Sequence, residues 1–504
     1  MVVAPCFFLF GYNQSAIGGV LAFTPFIEQF PRINTATTTG AVKSEHALIQ
    51  GTVVAIYTIG CLVGALASSY VANPLGRRSA IVMFAMIAAL GAVLQGSSFS
   101  LGQLVTGRII SGLGVGGVNS VVPVWQAESS KPKNRGKSVV VMGIFIASGI
   151  AMASWVNFGL SYRQQTSLCW RLPLTIPIMF CLTICITTFM FPESPRWLVQ
   201  KGRIEEAKAV ISSLEDVPID SEHIAIEIDF IRQSCNNGAV RERGFFDILK
   251  TGRERLLYRT SLSILINFCA QMTGANVITY YATTIFRESL GFQKHEASVL
   301  AAGLLTWKIV AASLAFVYVD RAGRKPLFML SGAGMGLSML CLAITVGLLD
   351  HPGAGVGATF FLFMFMFFFP LGFLGSNFLY GTEIAPQDLR THLSAVGTAA
   401  HWLFNFVIAE VTPVAFASIG WRYYIVYACT GFSVPVMVYF LFPETNGRSL
   451  EEMDRIFSEP KHCWQVAAAA RRLPRGIMEN VENIEEKNED GKADHVEQSS
   501  GKSG

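Results

Sequence analysis

Apolar runs of about 20 residues, separated by short polar loops, limit what this chain can fold into, because a stretch of that length crosses a ~30 Å hydrocarbon layer as a helix. Twelve such runs start near Val2, Ile49, Ser79, Leu101, Lys137, Arg171, Leu257, Ala297, Pro326, Ala358, Leu393 and Tyr423. Inside lipid each backbone N–H and C=O has to find its partner within the protein, which for isolated runs means an α-helix. The alternative, several water-soluble domains, fails on composition. With 51% hydrophobic and 15% charged residues and a mean hydropathy of +0.43, the chain lacks the polar surface that a soluble protein presents. The reading is therefore an all-α membrane protein with twelve transmembrane helices. The first run competes with a cleaved signal peptide, but it is longer than a typical signal core and shows no small-residue cleavage site.

Basic residues set the orientation, since cytoplasmic loops carry the excess of lysine and arginine. "NPLGRR" (Asn73 to Arg78), "SSKPKNRGK" (Ser129 to Lys137), the charged segment 193–259 and "DRAGRK" (Asp320 to Lys325) fall on one side. Both termini are expected in the cytoplasm. The opposite loops are poorer in basic residues, and the one glycosylation-type triplet, Asn13-Gln14-Ser15, lies inside the first run. Ten cysteines sit almost entirely in apolar or cytoplasmic segments, with Cys169 the outermost, so no disulfide framework is expected.

The loops repeat. "NPLGRR" follows the second run and "DRAGRK" the eighth; Glu128 precedes Arg135 by seven residues after the fourth run, as Glu383 precedes Arg390 after the tenth. "PESPRWL" (Pro192 to Leu198) closes the sixth run and "PETNGRSLEEMD" (Pro443 to Asp454) the twelfth. Three motifs in one order on one side make a six-plus-six repeat. The expected divisions are an N-terminal six-helix bundle (1–192), a cytoplasmic helical linker (193–256), a C-terminal six-helix bundle (257–443) and a cytoplasmic tail (444–504) disordered from about residue 475. The charged side chains of these motifs, Arg77, Arg78, Glu128, Arg135, Glu193, Arg196, Asp320, Arg324, Glu383, Arg390, Glu444 and Arg448, form a candidate cytoplasmic gate network. Single exposed pairs contribute ~0–1 kcal/mol, but a network can bias a two-state equilibrium whose gap is a few kcal/mol.

With "FGYNQSAIGG", "GRIISGLGVG", "VPVWQAESSKPKNRG", "QMTGANVITYY" and the motifs above, the chain resembles the sugar porter family of the major facilitator superfamily, with a likeness to fungal sugar and quinate permeases. The resemblance covers about Phe10 to Asp454. It implies two bundles around a central site with alternating access, moving a monosaccharide or related sugar across the plasma membrane by facilitated diffusion or proton symport. It implies no enzyme activity, cofactor, metal or nucleic-acid partner, and a carrier that works as a monomer in the bilayer.

A polyol needs donors and acceptors in a dry cavity, with aromatic faces against its C–H groups. In the seventh run Asn267, Gln271 and Gly274 share a helical face, whereas Asn276 falls about 140° from Gln271 unless the helix breaks near Thr273-Gly274. The family motif implies substrate amides at Gln271 and Asn276, with Ala270 where relatives often carry another glutamine. It further implies Trp402 and Asn405 from "HWLFNF", and Ser154 and Phe378 at positions where relatives have larger polar or tryptophan side chains. Asn377 and Tyr281 complete the substrate-binding candidates.

Lys308 is the odd residue. It lies twelve positions before Asp320, roughly 18 Å along a helix at about 1.5 Å per residue, near the membrane midplane. A lysine there costs at least ~2.5 kcal/mol, so it requires a cavity or a partner: Glu410, bracing the C-terminal bundle, or a carboxylate on a sugar-acid or quinate-like substrate. Coupling candidates are Asn13, Arg108 and Glu410. Asn13 stands where proton-driven relatives have an aspartate and cannot titrate, which favours facilitated diffusion unless Glu410 substitutes. A nutrient sensor of the same fold that binds without transporting is the alternative of a different class. "GLGVGG" (Gly112 to Gly117) fits a dinucleotide pattern but lies in a transmembrane run, where glycines serve close helix packing.

Overall fold

The computed structural model describes residues 3–472 except 36–37, 39, 130–134, 163–165, 223, 227, 230, 233–244, 253, 387–388, 449 and 461. The terminal part of the tail expected to be disordered thus lies outside the described residues. The N-terminal spans are Val3–Val20, Gly40–Leu75, Arg77–Gly96, Leu101–Glu128, Arg135–Ser161 and a sixth made of Leu168–Thr175 with Pro177–Phe189. The C-terminal spans are Leu256–Met272 with Ala275–Thr284, Lys294–Ala322, Arg324–Gly347, Ala354–Gly372 with Ser376–Glu383, Arg390–Ile419 and Tyr423–Leu441. Among the described residues, nine helical stretches are long and apolar enough to cross a membrane. The last of them, His392–Leu441, is 50 residues long and joins the eleventh and twelfth spans through the turn Gly420–Arg422. Val3–Val20 and Leu101–Glu128 complete the twelve.

Three spans differ from simple rods for reasons visible in the chain. The second is 36 residues long and begins nine positions before the apolar run, because "GAVKSEHAL" continues the helix beyond the hydrocarbon. The seventh breaks where expected: Thr273 caps the first half and Gly274 takes φ +90° before the second half starts at Ala275. Gly375, at φ +96°, divides the tenth span in the same way. These left-handed torsions suit glycine and strain other residues.

The six-plus-six repeat reaches the backbone torsions. Gly76 and Gly323, which open the third and ninth spans, both have φ +88° and ψ 163°. Over each sits a glutamate from the end of the sixth or twelfth span. Glu193 accepts from the backbone N–H groups of Arg77 and Arg78, both at 3.1 Å. Glu444 accepts from those of Arg324 (3.1 Å) and Lys325 (3.0 Å). A carboxylate at a helix start satisfies orphan N–H groups and meets the positive end of the helix dipole. Arg77 then forms a forked pair with Glu128 at 3.0 and 3.1 Å, while Arg324 reaches Glu383 at 3.2 Å and also bonds Asn446. These bonds join neighbouring helices within one half. Arg78 donates to the Phe189 carbonyl (3.1 Å) and Arg448 to the Ala470 carbonyl (2.6 Å); the side chains of Arg135 and Asp320 lie outside the described residues.

Between the halves, the amphipathic helices Pro195–Gln200 and Ile204–Glu215 contribute to a small core of their own with Trp197, Leu198, Ile211, Ile224 and Ile228. After the twelfth span, helix Leu450–Ser458 packs under the seventh. There Asp454 accepts from Arg259 at 2.6 Å, and the Arg259 guanidinium lies 4.3 Å from the centre of the Phe457 ring.

Candidate functional site

The break at Gly274 rotates Asn276 back toward Gln271, and a chain of buried side chains follows. Asn276 Nδ2 donates to Gln271 Oε1 at 2.6 Å. Gln271 Nε2 donates to the His401 imidazole, 2.8 Å from Nε2. Asn377 Nδ2 donates to Asn267 Oδ1 at 2.8 Å and also lies 3.5 Å from His401 Nδ1, while Asn267 Nδ2 is tied to the Ser263 carbonyl at 2.9 Å. All five side chains belong to residues 7% exposed or less. The broken seventh and tenth spans supply the amides, and the eleventh supplies the imidazole.

Gln271, Asn276, Asn377 and His401 line one pocket with Lys308, and from the N-terminal half Phe10, Gln14 and Ile146 close it. Phe369, Phe373 and Phe378 add aromatic faces. The free space at its centre is about 20 Å³, room for a water molecule, so a larger guest has to part the two walls. Amides and an imidazole both donate and accept, and such a lining beside aromatic rings matches the needs of a polyhydroxylated ring.

Lys308 is 1% exposed. Its ammonium lies 4.9 Å from the Phe369 ring centre and makes no hydrogen bond or ion pair among the described residues. Glu410, the proposed bracing partner, does not reach it: Thr52 Oγ1 of the second span donates to Glu410 Oε1 at 2.7 Å, and Glu410 Oε2 is buried with no hydrogen-bond partner among the described residues. The pairing of Lys308 with Glu410 is absent.

The other candidates are spread around this pocket. Ser154 hydrogen-bonds Ser15 at 3.0 Å in a second cavity, together with Asn157, Thr279, Tyr280, Lys294 and Ser298. Trp402, fully buried, packs edge-on against Phe10 (5.3 Å) and lies 6.2 Å from Tyr57, joining the halves rather than lining the central pocket. Asn405 is fully buried beside Tyr280, and its amide atoms make no geometrically good hydrogen bond among the described residues. Tyr281 donates to the Ala409 carbonyl at 3.0 Å. Asn13 donates to Leu9 in its own helix (3.1 Å), while Arg108 donates to the Val54 carbonyl (2.9 Å) and stacks over Tyr57 at 5.2 Å. Sequence reasoning missed His401 and Gln14. Each stood inside a quoted motif, "HWLFNF" and "FGYNQSAIGG", beside residues that drew the attention.

The halves meet closely around the site. A Cβ on Gly18 would come within 2.1 Å of the Tyr280 carbonyl oxygen, and one on Gly143 within 2.7 Å of that of Leu374. Trp155 donates to Thr306 at 2.9 Å across the fifth and eighth spans.

Known proteins resemble this chain in sequence and fold. The chain is 36% identical over 485 residues to the MFS-type transporter oryC of Aspergillus oryzae, covering 94% of this chain and 88% of the relative. It is 31% identical over 492 residues to the sugar transporter STL1 of Saccharomyces cerevisiae (95% and 84% covered), and 28% identical over 476 residues to a probable quinate permease of Neosartorya fischeri (91% and 86%). Among solved structures, the proton:xylose symporter XylE bound to 6-bromo-6-deoxy-D-glucose superposes with a TM-score of 0.77 at 24% identity, covering 90% of this chain and 98% of that one. The inward-open xylose transporter XylE from E. coli gives 0.70 at 23% identity, with the same coverage. The family described as "Sugar (and other) transporter" matches residues 1–457, and the chain belongs to it: a multi-pass membrane transporter of the major facilitator fold.

Proposed function

We propose that the central pocket carries a monosaccharide or closely related polyol by alternating access, with Gln271, Asn276, Asn377, His401 and Gln14 as its hydrogen-bonding wall. The observation that carries this reading is the continuous amide–imidazole chain at the break of the seventh span, at the level where the two halves meet. Transport is by facilitated diffusion or proton symport, and the first is favoured because Asn13 offers no titratable group. A sugar transporter and a proton:xylose symporter among the similar proteins support the substrate class and leave coupling to experiment. The carrier functions as a monomer in the plasma membrane with both termini cytoplasmic.

The test is counterflow in proteoliposomes. Purified protein is loaded with an unlabelled hexose, pentose or polyol and diluted into its labelled form, with and without a protonophore. The expected result is accumulation of at least one substrate, insensitive to the protonophore. Saturable binding without any accumulation would leave a sensor instead.

A further inference from the structure

The Lys308 ammonium makes no hydrogen bond or ion pair among the described residues, its one contact of charge being the Phe369 ring. Its three N–H donors lie in an apolar and aromatic setting with Phe369 at 4.9 Å, on the wall of the pocket that holds Gln271, Asn276 and His401. A buried charge is retained where something compensates it, because an unpaired one costs several kcal/mol. The carboxylate that sequence offers for this purpose, Glu410, bonds Thr52 of the other half. Neutral sugars supply hydroxyls, which the amides and the imidazole already match; they do not supply the missing negative charge.

We infer that Lys308 is the seat of a carboxylate on the substrate, so that this pocket prefers an acidic polyol, a sugar acid or a cyclic polyhydroxy acid, over its neutral counterpart. This rests on the central-pocket reading above. The hydroxyls of such a molecule engage Gln271 and Asn276 while its carboxylate forms a charge-assisted hydrogen bond with Lys308, a contact about twice as strong as a neutral one. A single positive group without a fork of donors selects for charge more than for carboxylate shape.

Galacturonate and galactose differ by a carboxylate in place of a hydroxymethyl group, which makes them a matched probe. Full-length protein in proteoliposomes is assayed for uptake of each labelled compound and for mutual competition, with wild type, Lys308→Gln and Lys308→Arg side by side. Wild type is expected to favour the acid at least tenfold. Lys308→Gln collapses that ratio toward one, and Lys308→Arg keeps most of it. Quinate and glucuronate extend the acid panel, and replacing chloride by methanesulfonate separates a substrate carboxylate from a bound halide. Uptake of neutral sugars with no preference for any acid in wild type would overturn the inference while leaving the transport reading intact; a preference that followed chloride, or survived in Lys308→Gln, would overturn it too. If neither acids nor neutral sugars moved, the central-pocket reading itself would fail. Wild-type competition decides the matter even if Lys308→Gln does not fold.

Discussion

Gln271→Ala removes the central link of the amide chain, and the geometry sets the size of the effect. The change deletes the oxygen that accepts from Asn276 at 2.6 Å and the nitrogen that donates to His401 at 2.8 Å. Two buried groups then lose their partners, at about 1–3 kcal/mol each. The space left admits water, which recovers part of that loss, so the lower end applies. Adding a substrate hydrogen bond of about 0.5–1.5 kcal/mol to about 2 kcal/mol for the two groups gives a total near 2.5–3.5 kcal/mol. At about 1.4 kcal/mol per factor of ten, uptake efficiency should fall roughly 60- to 300-fold. The measurement is initial counterflow rate in proteoliposomes with matched protein incorporation, accompanied by size-exclusion profiles and detergent melting curves to show that the fold persists. A double-mutant cycle with Asn276→Ala sharpens it, since partners in direct contact give non-additive effects. Uptake within twofold of wild type, at equal incorporation, would refute the placement of Gln271 at the centre of the site.

Three further outcomes follow from the same coordinates. Gly76→Ala should lower stability by about 1–3 kcal/mol, since a left-handed torsion strains alanine and its Cβ would stand 2.6 Å from Glu193 Oε2; Gly323→Ala should match it to within a factor of two, and a detergent melting temperature unchanged for both would contradict the joint described here. Thr52→Val removes the bond to Glu410 that ties the second span to the eleventh, a loss of about 0.5–1.5 kcal/mol; labelling of a cysteine introduced at Ser298 in the second cavity should accelerate severalfold, and equal rates would count against this contact as a clasp between the halves. Asp454→Asn weakens the ion pair that holds the tail helix to Arg259, so limited proteolysis should cut within Leu450–Ser458 faster than in wild type.

How much of this was legible beforehand depends on whether the governing physics is local. The break at Thr273-Gly274 was readable because a glycine inside an amide-rich run needs a reason, and the reorientation of Asn276 supplied one. The glutamate joints were readable as matched spacings, although their geometry, each carboxylate gripping two N–H groups of the neighbouring helix start, was not. The relation of Lys308 to Glu410 was beyond sequence: both sit in apolar helices, but the rotation and depth of one span against another depend on packing across the whole bundle. The same limit separated Trp402 from His401. Neighbours in a helix point about 100° apart, so only one of them could face the pocket, and a motif by itself does not say which.

The matched seams at Gly76 and Gly323 also decide which parts travel as a unit. Each welds the start of one helix to the end of another within the same half. The spans broken at a glycine, at Gly274 and Gly375, are both in the second half of the chain, while the sixth span of the first half is interrupted at Ile176. Glycine breaks thus give the second bundle two points where the backbone turns, a freedom that a side chain at either position would remove.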